Sequence, residues 1–245
     1  MGIQGKVVMI TGGSSGLGKA MAIEMVNRGA NVVLNGRREQ ALAEAAKEID
    51  PTGKQVQFVA GDIADPKIAQ RLIDEGLAHF GRIDTLINNA GIFMSKPFTE
   101  YSEEDFATYL STNVVGFFHI TQRAVAEMLK QGTGHIINIT TSLVDQPSVH
   151  VPSVIASLTK GGLNSATKSL AIEYASRGIR VNAVSPGGIK TPMHPVESHD
   201  ALAKLHPMGR MGEPHEIVEA VLYLDSANFV TGEILHVDGG QNAGH

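Results

Sequence analysis

Short β-branched and aliphatic runs alternate with longer helix-patterned segments along the whole chain, and this alternation constrains the fold most. Strands are expected at residues 6–11, 31–35, 55–60, 83–88, 135–140, 179–185 and 233–237. Helices fit between them at 16–28, 39–49, 67–80, 103–130, 154–177 and 214–224. Strands that alternate with helices in this way predict a parallel sheet covered on both faces. The early strands read VVMI, VVL and TLI, near-continuous and apolar, as burial on two sides demands. No repeat, low-complexity tract or linker rich in Pro, Gly or Ser interrupts the pattern, so residues 1–245 are expected to form one domain. The longest irregular stretch, 186–214, is rich in Pro, His and Met. A loop of that length in a compact domain reads as a lid or binding loop, with a surface excursion as the alternative.

Composition removes several function classes. A formal net charge of −5 leaves no basic footprint for nucleic acid. The absence of cysteine excludes disulfides and thiolate catalysis and fits a reducing compartment. The apolar run near the amino end is too short for a signal segment, and no later run reaches the roughly 18 residues of a membrane span, so no membrane partner and a cytoplasmic location are expected.

Chemistry enters at the end of the first strand, in TGGSSGLG. Gly12, Gly16 and Gly18 there permit a tight turn and let backbone N–H groups approach a pyrophosphate, whose charge a helix N-terminus favours. The spacing is G-x-x-x-G-x-G, not the G-x-G-x-x-G of the general dinucleotide fingerprint, and its position between the first strand and helix carries the reading.

TGGSSGLG, then Asn88-Asn89-Ala90-Gly91, then Ser142, Lys160 and SPGGIKTPM in that order, resemble the motifs of the short-chain dehydrogenase/reductases, and the carboxyl end FVTGEILHVDGGQ fits too. The likeness spans essentially the whole chain and is to the NADP-dependent ketone reductases and 3-oxoacyl-reductase-like members. It implies an α/β, Rossmann-like, doubly wound domain with seven parallel strands ordered 3-2-1-4-5-6-7. It also implies interconversion of a small-molecule ketone and an alcohol with a nicotinamide cofactor, and a homotetramer with a dimer as the alternative.

Within that resemblance, Gly12, Ser14, Ser15, Gly16, Leu17 and Gly18 form the cofactor turn. Asp62 and Ile63 flank the adenine, and Asn89, Ala90 and Gly91 pass beneath the adenosine ribose. Pro186, Gly187, Ile189 and Thr191 meet the nicotinamide side. NAD-binding members usually close the second strand with an acidic residue; here Gly36 stands there, followed by Arg37 and Arg38. An arginine pairs with a 2′-phosphate that a carboxylate would repel, so NADP (NADPH) is expected over NAD.

The catalytic set implied is Asn, Ser, Tyr and Lys. Asn113 matches the first and would hold a water linking the lysine to solvent. Ser142 matches the second and would donate to the substrate oxygen. Lys160 matches the fourth and would grip the nicotinamide ribose while depressing the tyrosine pKa. Four residues before Lys160, where a helix would put the tyrosine on the same face, stands Ala156. Tyr101, Tyr109, Tyr174 and Tyr223 fit no turn next to this lysine.

Three readings follow. The acid is lost; or its task has moved to Ser142, to a Lys160-linked water or to His150; or the chain binds NADP(H) as a sensor. The retained Asn113, Ser142 and Lys160 favour an oxidoreductase. His194, His199 and His206 match no zinc spacing and are expected to shape a polar rim, so no metal is expected. Met193, Met208 and Met211 are expected to line an adaptable pocket or fill the core. Val144, Asp145, His150 and loop 188–211 are expected around the substrate.

Overall fold

The computed structural model describes residues 2–244. Its seven strands form one parallel sheet in the order β3-β2-β1-β4-β5-β6-β7. The strands are β1 (Val7–Thr11), β2 (Asn31–Gly36), β3 (Val56–Ala60), β4 (Thr85–Asn88), β5 (Gly134–Ile139), β6 (Ile179–Pro186) and β7 (Ile234–Val237). The helices are α1 (Gly16–Asn27), α2 (Glu39–Ile49), α3 (Pro66–Phe80), α4 (Glu103–Tyr109), α5 (Gly116–Gln131), α6 (Val154–Tyr174), α7 (His199–Ala203) and α8 (Pro214–Ser226).

Period-two alternation sorts the strand residues into two cores. Val8 and Ile10 of β1 pack with α1, α2 and α8 on one face, whereas Val7 and Met9 pack with α3 and α5 on the other. All five β1 residues are buried, which explains why the run is continuously apolar. β1 lies between β2 and β4, so chain direction across the sheet reverses there. That reversal opens a crevice beyond the carboxyl ends of β1 and β4, where open parallel sheets bind ligands. None of the described helices is long and apolar enough to cross a membrane.

The expected helix 103–130 is not continuous. Between α4 and α5 the turn Leu110–Val115 winds as a π-helix, whose extra residue changes the facing of Asn113. The expected helix 154–177 ends at Tyr174, and Ala175–Arg177 tightens into a 3-10 turn before Gly178 at φ 80. The long segment after β6 is only partly irregular, since it contains the turn Val196–Ser198 and α7.

Candidate active site

The turn after β1 is held from β4. Asn89 Nδ2 donates to the carbonyls of Thr11 at 2.9 Å and Gly12 at 3.2 Å. Thr11 Oγ1 accepts from the N–H groups of Asn89 at 3.1 Å and Ala90 at 3.0 Å. Gly12 and Gly16 adopt φ 70 and 54, backbone that side-chain-bearing residues rarely take. A Cβ on Gly18 would sit 2.2 Å from the Gly12 carbonyl, so this glycine lets α1 close onto the strand end.

The turn forms one end of a cavity of about 740 Å3 that runs across the carboxyl ends of the strands. Ser14, Ser15, Leu17, Arg37 and Arg38 line that end, with Asp62 and Ile63 beside them. Asn89, Ala90 and Gly91 line the middle, and Pro186, Gly187, Ile189 and Thr191 line the wall from β6. Arg37 and Arg38 are exposed at the rim and form no ion pair among the described residues. At the far end lie Ser142, Ala156, Lys160 and Gln241.

Lys160 is buried and its Nζ donates to the Ile139 carbonyl at 2.8 Å. Burial penalises the ammonium and brings its pKa down to about 8. Ser142, also buried, donates its Oγ hydrogen to Gln241 Oε1 at 3.0 Å. Asn113 is buried below the cavity. Its Oδ1 accepts from Ile92 N at 3.0 Å, and its Nδ2 donates to Ile92 O and Thr159 Oγ1 at 3.3 and 3.2 Å. A second cavity of about 10 Å3 lies between Asn113, Lys160 and Asn88.

With the site in view, comparison with known proteins assigns the family. Residues 12–242 match the family described as Enoyl-(Acyl carrier protein) reductase. The chain belongs to the short-chain dehydrogenase/reductases. Across 99% of its length it is 38% identical to an uncharacterized oxidoreductase of Thermotoga maritima, covering 100% of that protein. Across 98% it is 34% identical to a 3-oxoacyl-(acyl-carrier-protein) reductase of the same organism, covering 99% of it. Among solved structures, a short-chain type dehydrogenase/reductase from Mycobacterium marinum superposes with TM-score 0.94 at 31% identity, over 99% of this chain and 98% of that one. A 3-ketoacyl-(acyl-carrier-protein) reductase from Brucella melitensis complexed with NADH gives 0.91 at 32%, over 98% and 99%. ElxO with NADP bound gives 0.90 at 30%, over 98% and 99%.

In this dehydrogenase/reductase most residues singled out from sequence meet in the one cavity. Gly18 and Asn113 do not line it: the first supports the turn from behind, and the second sits one layer below. Asn89 contributes its side chain to the turn, beyond the backbone role expected of it.

Several expectations about the substrate end need correction. Val144 packs against Gly161, and Asp145 pairs with His236 at 3.1 Å, so neither lines the cavity; Leu143 and Val151 do. His150 is exposed outside it. His206 is buried, not on a rim, and its Nε2 accepts from Gly188 N at 2.8 Å, pinning the long loop to the end of β6. Only His194 of the three loop histidines lines the cavity, and burial lowers its pKa. Of the three methionines, Met193 lines the cavity, Met211 is buried and Met208 is exposed. No cluster of metal-binding side chains occurs among the described residues.

Gln241 is the residue sequence reasoning missed. Its signal was present in DGGQ, where two glycines turn the chain at the same end of the sheet as the other motifs.

Proposed function

We propose that this dehydrogenase/reductase interconverts a small-molecule ketone and a secondary alcohol with NADP(H). One observation carries the reading: the glycine turn with Arg37 and Arg38, and the Ser142–Lys160 pair, are opposite ends of the same cavity. The residues fit the cofactor. The turn is open where a Cβ at Gly12 would meet Asn89 Nδ2 at 2.9 Å, and the middle is open where a Cβ at Gly91 would meet Lys160 Nζ at 3.0 Å. Arg37 and Arg38 would take the 2′-phosphate through charge-assisted hydrogen bonds. Gly36 lacks the carboxylate that would repel it, and a Cβ there would lie 3.5 Å from Ser14 Oγ, a hydroxyl free to join the phosphate site. Asp62 and Ile63 would hold the adenine side, Asn89 to Gly91 the ribose, and Pro186, Gly187, Ile189 and Thr191 the nicotinamide side.

The bound dihydronicotinamide supplies the hydride. Lys160 would hold the adjoining ribose and keep a proton available, since its lowered pKa makes the ammonium a usable acid near neutrality. No phenol stands between Lys160 and the substrate, so a water beside Ala156 carries the proton. The small second cavity, walled by Asn113 and Asn88, has room for about one further water that would resupply Lys160. The assembly is a homotetramer built on the apolar residues that α4, α5 and α6 expose, among them Phe106, Phe118, Leu158 and Ile172.

Calorimetry with NADPH and NADH tests the cofactor, and tighter NADH binding overturns it. NADPH oxidation with a panel of ketones tests the reaction; no turnover with any of them overturns it.

A further inference from the structure

The turn that follows β7 is built around a buried carboxylate. Asp238 Oδ1 accepts from Gly240 N at 3.0 Å and its Oδ2 accepts from Asn242 N at 2.8 Å. Gly239 and Gly240 take φ 60 and 90, and a Cβ on Gly240 would lie 3.4 Å from Pro207, so the turn is packed as well as bonded. It delivers Gln241 into the cavity wall, 3% exposed, across from a residue 99 positions earlier in the chain.

That residue is Ser142, whose hydroxyl donates to Gln241 Oε1. A hydroxyl has one hydrogen. While it is engaged by Gln241, Ser142 presents lone pairs to the cavity. The other half of the carboxamide is in the opposite situation. Gln241 Nε2 has no protein acceptor among the described residues, yet it is not among the sealed, unpartnered side-chain atoms. Its hydrogens open onto the cavity that the side chain lines.

We propose that the Gln241 carboxamide is a catalytic hydrogen-bond donor to the substrate's carbonyl oxygen, with Ser142 acting as the clamp that orients it. This rests on the carbonyl-reduction reading above and names the group that faces the oxygen. As the carbonyl carbon gains hydride, the C=O π pair becomes an oxygen lone pair, and a fixed N–H donor stabilises the charge that develops. The amide releases no proton. A water O–H breaks to complete the alcohol, and the hydroxide left behind takes a proton from the Lys160 ammonium.

Gln241→Glu separates donor from clamp. It keeps an oxygen that accepts from Ser142 and replaces the N–H donor with an anionic oxygen. The expected result is a fall in kcat/KM of roughly 10²–10³ with the NADPH dissociation constant unchanged, the loss typical of one oxyanion donor. Activity within a few-fold of the unaltered chain overturns the proposal, because Gln241 would then only anchor Ser142.

A second readout needs neither a variant nor turnover. The side-chain amide resonances of Gln241 are assigned through bonds in the NADP-loaded protein, and cyclohexanone is added. Movement of that amide pair supports the contact. An unmoved pair overturns it, whatever else shifts. Absence of NADPH oxidation by the unaltered chain would overturn the reaction assignment separately, and the resonance would still decide for Gln241.

Discussion

Ala156 lines the cavity and also touches an apolar cluster with Ile155 and Tyr109, so the nearest phenols can be judged as substitutes. Neither serves. Tyr109 donates to Met94 O at 3.0 Å and accepts from Met94 N at 2.5 Å, and burial pushes its pKa up to about 12. Tyr101 donates to the same carbonyl at 2.6 Å. Both phenols brace the segment after β4 with their hydroxyl hydrogens engaged by the Met94 carbonyl. Ala156→Tyr therefore adds a phenolic acid where the proposed route relies on water and Lys160. Steady-state NADPH oxidation with small ketones should rise by roughly 10²–10⁴, the usual worth of a placed general acid. Bulky ketones should lose that gain, because the phenol narrows the cavity at residue 156; equal turnover before and after the change would mean that the acid lies elsewhere. The lysine sets the pH dependence. Reduction by the unaltered chain should decline above pH of about 8, as the Lys160 ammonium is lost. Stability moves oppositely: between about 8 and the ordinary 10.5 the unfolded chain binds a proton that the folded chain does not, so folding gains with pH. Lys160→Met should remove both trends in pH-resolved rate and urea-unfolding measurements.

At the scale of elements, periodicity finds a helix but not a change in its winding. Residues 103–130 carry one apolar pattern, yet the π turn Leu110–Val115 interrupts it, because Asn113 meets partners no local pattern encodes: Ile92 after β4 and Thr159 on α6. The glycine turn was legible for the opposite reason. Its conformational demand is local, and only glycine meets positive φ without strain. The substrate end was read least well, since β7, loop 186–214 and the segment after β5 meet there through long-range contacts such as Ser142–Gln241 and His206–Gly188. Asn113→Ala tests the π turn. It leaves the half-buried Ile92 backbone groups short of partners, which should lower the unfolding free energy by about 1 kcal/mol. Turnover should drop more than NADPH affinity, since the residue stands behind Lys160 and does not line the cofactor cavity. Denaturant melts and cofactor titrations of the variant measure both.

Across the whole molecule, the parallel sheet separates chemistry from anchorage. The alternation of strands and helices made this architecture readable, because two-sided burial leaves few other places for VVMI or TLI. It gave no hint that the amino ends of the central strands, opposite the cavity, carry a buried charge cluster. There Asp225 of α8 accepts from Lys6 Nζ at 2.8 Å and Thr85 Oγ1 at 3.0 Å. Arg180 spans to the Asp225 carbonyl at 3.0 Å and to His135 Nδ1 at 3.2 Å, so α8 is tied to β1, β4, β5 and β6. Burial and the nearby Arg180 and Lys6 charges bring the His135 pKa down to about 4, despite Asp225 beside it. For Asp225 burial acts to raise the pKa, but the His135 ring 3.9 Å away and the hydrogen bond and charge of Lys6 outweigh it and hold the carboxyl below its ordinary value. Both shifts make acid destabilising. Between pH 6.5 and about 4 the unfolded chain protonates His135 and the folded chain does not, so stability falls as pH falls through that window; below 3.8 Asp225 adds its share. Urea unfolding at fixed protein concentration should therefore show a midpoint that drops steeply from pH 7 to 4.5. His135→Gln should flatten the drop, because glutamine has no proton to take up. Asp225→Asn should instead lower the midpoint already at pH 7, since Lys6 and Arg180 then face each other with no anion between them. Parallel slopes for His135→Gln and the unaltered chain would place the acid sensitivity in other groups.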